Sequence, residues 1–154
     1  MRRKIIIKRI VLLIVVVFIG IQFVPSTYNQ SDTLLETDIS NTFDIPSKIQ
    51  TLLENSCYDC HSNNTYYPWY NNIQPMSWMM ERHIKNGKKE LNFSEFGAYS
   101  KRRKKSKIKS IINQIKDDEM PLSSYTLLHR NAILSESDKL LIINWMENQR
   151  NNLK

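Results

Sequence analysis

Cysteine is nearly missing from this chain of 154 residues: there are two, and both fall inside one stretch, Cys57-Tyr58-Asp59-Cys60-His61. A bridge between cysteines so close in sequence would close too small a loop to stabilise much. Histidine is scarce as well. Beyond the motif there are only His83 and His129, far apart and unpaired, so the second ligand pair of a structural zinc site is lacking. No stretch of useful length alternates apolar and polar residues, which removes the βαβ context that a thioredoxin-like C-x-x-C expects. Three glycines and five prolines leave no low-complexity tract, and no internal repeat is visible.

What is present is a C-x-x-C-H sequence, and its chemistry is covalent c-type haem attachment. Two thiols three positions apart can lie on one side of a helical turn and add to the two vinyl groups of one haem. The histidine that follows can then meet the iron. Cys57 and Cys60 are the expected thioether residues, and His61 the expected proximal iron ligand. A non-haem thiol–disulfide pair is the competing reading of the same residues.

The formal net charge of +7 does not point to nucleic acid. Arg2, Arg3, Lys4, Lys8 and Arg9 supply five of the positives, and beyond residue 30 the remaining 17 basic residues nearly balance 15 acidic ones. No nucleic-acid partner is expected. Ile10 to Val24 is apolar apart from Gly20 and Gln22. Counted from Ile5, with Lys8 and Arg9 snorkelling, the segment approaches the ~20 residues of a membrane span. A cleaved signal peptide shares the charged start and apolar middle, but no A-x-A site is visible and Pro25 is awkward for cleavage. The expectation is an uncleaved N-terminal transmembrane helix over 1–25, its basic end in the cytoplasm. The chain would then be single-pass in the cytoplasmic (inner) membrane, its C-terminal domain in the periplasm. That is the side on which bacteria attach haem c. Residues 26–42 are polar and read as a tether, with the domain over 43–149.

Within that domain the periodicity is helical. Ile49, Leu52 and Leu53 mark a helix that starts near Pro46 and feeds into Cys57. Asn63 to Pro75 reads as an ordered loop. Trp78 to Asn86 reads as a helix stopped by Gly87. Ile108, Ile111, Ile112 and Ile115 form an apolar stripe on a helix from Ser100 to about Asp118. Ser135, with Asp138 three residues on, opens the last helix as a capping box, and Leu141, Ile142 and Trp145 pack it. The expected fold is all-α: a small cytochrome c-like helical domain with long loops.

A haem iron held by His61 has one more axial position. Met120 is the leading candidate, on a loop between two helices and beside Pro121. His83 and His129 are alternatives, and an open site is another. Met79, Met80 and Met146 sit within helical patterns and read as core filler. His/Met ligation raises the reduction potential and favours electron transfer. An open or displaceable sixth position would instead suit a haem-based sensor or a peroxidase-like enzyme. Tyr66-Tyr67-Pro68-Trp69-Tyr70 is dense in aromatics, and Tyr67 and Trp69 are candidates to wall the porphyrin. Lys101 to Lys109 holds seven basic residues in nine at a helix start, where the macrodipole disfavours cations. It is either a solvated face or a docking surface for an acidic redox partner or anionic lipid.

The stretch from Asn55 to Thr65 with Tyr67-Pro68-Trp69-Tyr70 resembles the bacterial haem-binding domain family with a C-x-x-C-H motif. So do His83-Ile84, Gly87, Leu91-Asn92-Phe93-Ser94 and Met120-Pro121-Leu122-Ser123-Ser124-Tyr125. The resemblance covers roughly residues 43 to 149. It implies a haem cofactor in a small cytochrome c-like domain, often behind an N-terminal anchor, and implies no particular partner. The aromatic segment after the motif departs from ordinary class I cytochromes c. The combined expectation is a membrane-anchored monohaem c-type cytochrome domain that transfers single electrons.

Overall fold

The computed structural model describes residues 2–31 and 33–153. Met1 and Asp32, which fall in the expected anchor and tether, and Lys154 lie outside the described residues. Every regular element among the described residues is helical. The α-helices are α1 (Arg2–Ile21), α2 (Ile39–Thr42), α3 (Ser47–Leu53), α4 (Asp59–His61), α5 (Met76–Glu90), α6 (Lys101–Lys116), α7 (Ser123–Thr126) and α8 (Glu136–Asn152). A π-helical turn, Glu54–Tyr58, joins α3 to α4. Three 3₁₀ turns, Trp69–Asn72, Phe93–Ala98 and Arg130–Ala132, bridge other segments.

The core forms where the apolar stripes meet. Ile108, Ile112 and Ile115 of α6 face Ile142, Ile143, Trp145 and Met146 of α8, with Phe93, Phe96 and Leu53 completing the cluster. Ser135 caps α8 as its sequence suggests: its hydroxyl accepts from the Asp138 N–H, and its own N–H donates to the Asp138 carboxylate. The haem-motif helix α4 packs against α5. Gly87 is the reason it can come so close. A Cβ at that position would lie 2.5 Å from the Cys60 carbonyl oxygen. So Gly87 does not stop α5, which continues to Glu90; it is the contact point between two backbones.

The N-terminal transmembrane helix is not supported, since no helix among the described residues is long and apolar enough to cross a membrane. Every 18-residue stretch of α1 contains Lys4, Lys8 and Arg9. The uncharged part, from Ile10 to Ile21, spans only about 18 Å at 1.5 Å per residue, against a hydrocarbon core of ~30 Å. Beyond Ile21 the chain turns onto the domain. The Gln22 side chain accepts from the Gln74 N–H at 2.9 Å and donates to the Gln74 carbonyl at 3.2 Å. Further on, the Asn29 amide donates to the Ser62 carbonyl and the Thr65 hydroxyl, both at 2.9 Å.

Candidate functional site

The π-helical turn sets the site. It widens the backbone through the first two residues of the motif, a distortion often found at functional positions, and places Cys57 at the wall of a cavity of about 250 Å3. His61, one helical turn on, lines the same cavity. Cys60 does not, although it is only three residues from Cys57. Four positions on from Cys57, His61 returns to nearly the same side of the helix, whereas Cys60, three positions on, falls short of a full turn and faces another side. Its backbone meets Gly87 instead.

Met120 reaches the cavity because of how α6 ends. Asp118 adopts the left-handed conformation, φ 56°. The Asp118 N–H then donates to the Ile115 carbonyl, and the Glu119 N–H to the Gln114 carbonyl at 2.9 Å. This is a Schellman closure with aspartate in the position glycine usually takes. The Met120 N–H shares the Gln114 carbonyl at 3.1 Å. Met120 and Pro121 are thereby folded back over the last turns of α6 and line the cavity with Ile111, Gln114 and Ile115. Two of the acidic residues at this helix end have partners: Asp118 pairs with Lys139 of α8, and Glu119 accepts from the Gln114 amide.

His61 is prepared as a ligand. Its Nδ1 lies 3.0 Å from the Leu91 carbonyl oxygen. A carbonyl only accepts, so Nδ1 carries the proton and Nε2 the free lone pair. Burial lowers the imidazole pKa from its ordinary value, more than the Leu91 carbonyl raises it, and Lys107 adds to the lowering. The neutral, metal-binding form is therefore favoured. Burial also pushes the Cys57 thiol up to about 12 and Cys60 to about 11, with Cys60 adding to the first shift and Asp59 to the second. Neither is a thiolate at neutral pH, the form that disulfide exchange requires.

The other sequence candidates lie elsewhere. Tyr67 is edge-on to Tyr28 and accepts from the Asn29 N–H at 2.7 Å. It lines a separate cavity with Tyr58 and Asp59. Trp69 is 76% exposed. His83 lies on α5 outside the first cavity. His129 has both nitrogens engaged, Nδ1 with the Tyr125 carbonyl and Nε2 with the Tyr70 hydroxyl. Met146 is in the core and Met79 at the surface.

Three features went unread in the sequence. Leu91 supplies the carbonyl behind His61, and a main-chain group leaves no trace in residue type. Lys107 and Gln114 line the cavity, on the face of α6 that also holds Ile111. Their signal was the i, i+4, i+7 spacing of Lys107, Ile111 and Gln114, of which Lys107 was read only for its charge and Ile111 only for its apolar stripe. Asp59 accepts from the Tyr125 hydroxyl at 2.6 Å and from the Tyr66 N–H at 2.8 Å.

An imidazole with a free Nε2, a thioether and a thiol thus meet around a wall supplied by Leu91, Phe93, Ile111, Ile115 and Leu134. This donor set and apolar lining fit a haem, whereas among the described residues no group of three His, Cys, Asp or Glu could hold a bare metal ion. In class, then, this is a helical haem-binding domain. The chain belongs to the haem-binding domain family, whose model matches residues 16–148. No curated protein and no solved structure matches it.

Proposed function

We propose that the family's haem is held here as haem c, joined to Cys57 and to Cys60, whose side chain would have to turn toward the cavity it does not line, with His61 and Met120 as axial ligands, and that the domain transfers single electrons. The observation that carries this reading is the single cavity shared by Cys57, Met120 and a His61 whose Nδ1 is committed to Leu91. Bound there, haem would supply a one-electron couple whose potential is raised by His/Met ligation. The chain's own residues fix the imidazole tautomer, surround the cavity with apolar groups and fold the Met120 loop against α6. Under this reading the domain works in the periplasm, the expected side for thioether formation.

The electron partner we propose is an acidic protein that docks on α6. Lys107, Ser110, Ile111 and Gln114 of that helix line the cavity, so its basic run lies beside the site. Lys101, Arg102 and Lys109 are exposed, and Arg103 lies over the Tyr99 ring at 4.0 Å. The test of the whole reading is spectroscopic. The purified protein should keep its haem after denaturation, and its oxidised form should show a weak far-red charge-transfer band that Met120→Ala abolishes. Loss of haem on denaturation would reject covalent attachment. Carbon monoxide binding by the reduced wild-type protein as fast as by Met120→Ala would favour an open sixth position.

A further inference from the structure

We propose that Asp59 and Tyr125 form a positioning pair that holds Met120 at the cavity and so sets how often the sixth axial position opens; this rests on the reading of Met120 as distal ligand. Asp59 stands between the two cysteines of the motif. Its carboxylate joins three segments: Oδ2 accepts from the Tyr125 hydroxyl of α7 at 2.6 Å, Oδ1 accepts from the Tyr66 N–H at 2.8 Å, and the residue itself belongs to α4. Its main-chain carbonyl also accepts from the Thr65 hydroxyl at 2.6 Å. Hydrogen bonds to an ionised acceptor are among the stronger ones in proteins.

Tyr125 is held on its other side as well. The His129 ring stacks on it, centroids 4.0 Å apart and 22° between planes, and donates back to the Tyr125 carbonyl at 3.1 Å. The Tyr70 hydroxyl donates to His129 Nε2 at 3.2 Å. The path from this anchor to Met120 is short. The Tyr125 and Thr126 N–H groups both donate to the Leu122 carbonyl, which winds α7 directly after Leu122. Only Pro121, with its restricted φ, lies between Leu122 and Met120. At its other end the loop is fastened to the Gln114 carbonyl. The motif that presents His61 and the loop that presents Met120 are therefore tied by one carboxylate–phenol contact.

The test uses the full-length, haem-loaded protein and reads two properties that general stability does not set: the far-red band of the oxidised form and the carbon monoxide binding rate of the reduced form. Tyr125→Phe and Asp59→Ala should each weaken the band and raise the binding rate about tenfold or more, the scale of a lost hydrogen bond to a charged group. Asp59→Asn, with no charge and one accepting oxygen where the carboxylate uses two, should fall between Asp59→Ala and the wild type. A Tyr125→Phe protein with native far-UV dichroism and both readouts unchanged would overturn the pair, even with Met120→Ala still abolishing the band. A wild-type band that survives Met120→Ala would instead overturn the distal-ligand reading, and the pair with it. Should Tyr125→Phe fail to fold, the decision falls to Asp59→Ala, and a folded Asp59→Ala protein with both readouts unchanged would reject the pair.

Discussion

His61 and Cys57 acquire their surroundings from main-chain features more than from neighbouring residue types. A carbonyl at Leu91 decides which imidazole nitrogen is free, and a π-helical turn decides which cysteine faces the cavity. The motif was legible in the sequence because cysteine and histidine are chemically distinctive. Met120 was placed correctly on a loop between two helices, and that loop does bring it to the cavity. Leu91 was not legible, since any residue carries the same carbonyl. The thiols themselves give a test of the non-haem alternative. Burial raises both above their ordinary value of 9.0, to about 12 and about 11. In the haem-free chain, alkylation by iodoacetamide should be slow at pH 8 and accelerate only as the pH approaches 11. The stability follows the same sign: folded thiols keep protons that unfolded ones release near 9, so folding weakens as the pH rises above 9 and is unaffected below it. Fast alkylation at pH 8 by a chain that is still folded would favour thiol–disulfide chemistry.

At the scale of elements, helix existence was readable and helix ends were not always. The isoleucine stripe of α6 and the Ser135–Asp138 box of α8 stand where periodicity and capping rules put them. Gly87 was read as a stop because glycine commonly ends helices. Its actual role depends on a partner backbone 27 residues earlier, which no local pattern displays. Gly87→Ala would set a methyl group against the Cys60 carbonyl, and neither backbone can yield cheaply. The expected cost is about 1–3 kcal/mol, as for other overpacked contacts, seen as a lower thermal midpoint and a lower yield of haem-loaded protein. An unchanged midpoint would show that α4 and α5 can separate without loss.

For the whole molecule, charge and apolar surface are segregated. Five cations open α1, whose apolar residues from Ile5 to Ile19 are exposed, while a second basic block begins α6 beside the cavity. The expected span counted from Ile5 and let Lys8 and Arg9 snorkel. The longest charge-free run of α1 is only Ile10 to Ile21, however, and the chain then turns at Gln22 onto Gln74. The second block bears on partner choice. Exchanging Lys101, Arg102, Arg103 and Lys104 for glutamine should slow electron exchange with an acidic partner at low salt, with the difference fading once ions screen beyond ~10 Å. Equal rates and equal salt dependence would assign the run to solvation alone. One further feature acts at this scale. The carbonyl of Gln114 closes α6 and also takes the Met120 N–H, so fraying of that last turn would loosen one end of the methionine loop. Local unfolding of a helix terminus costs less than global unfolding. Under the proposed ligation, melting of that helix end would free the methionine loop at one of its two fastenings, the other being the Asp59–Tyr125 contact.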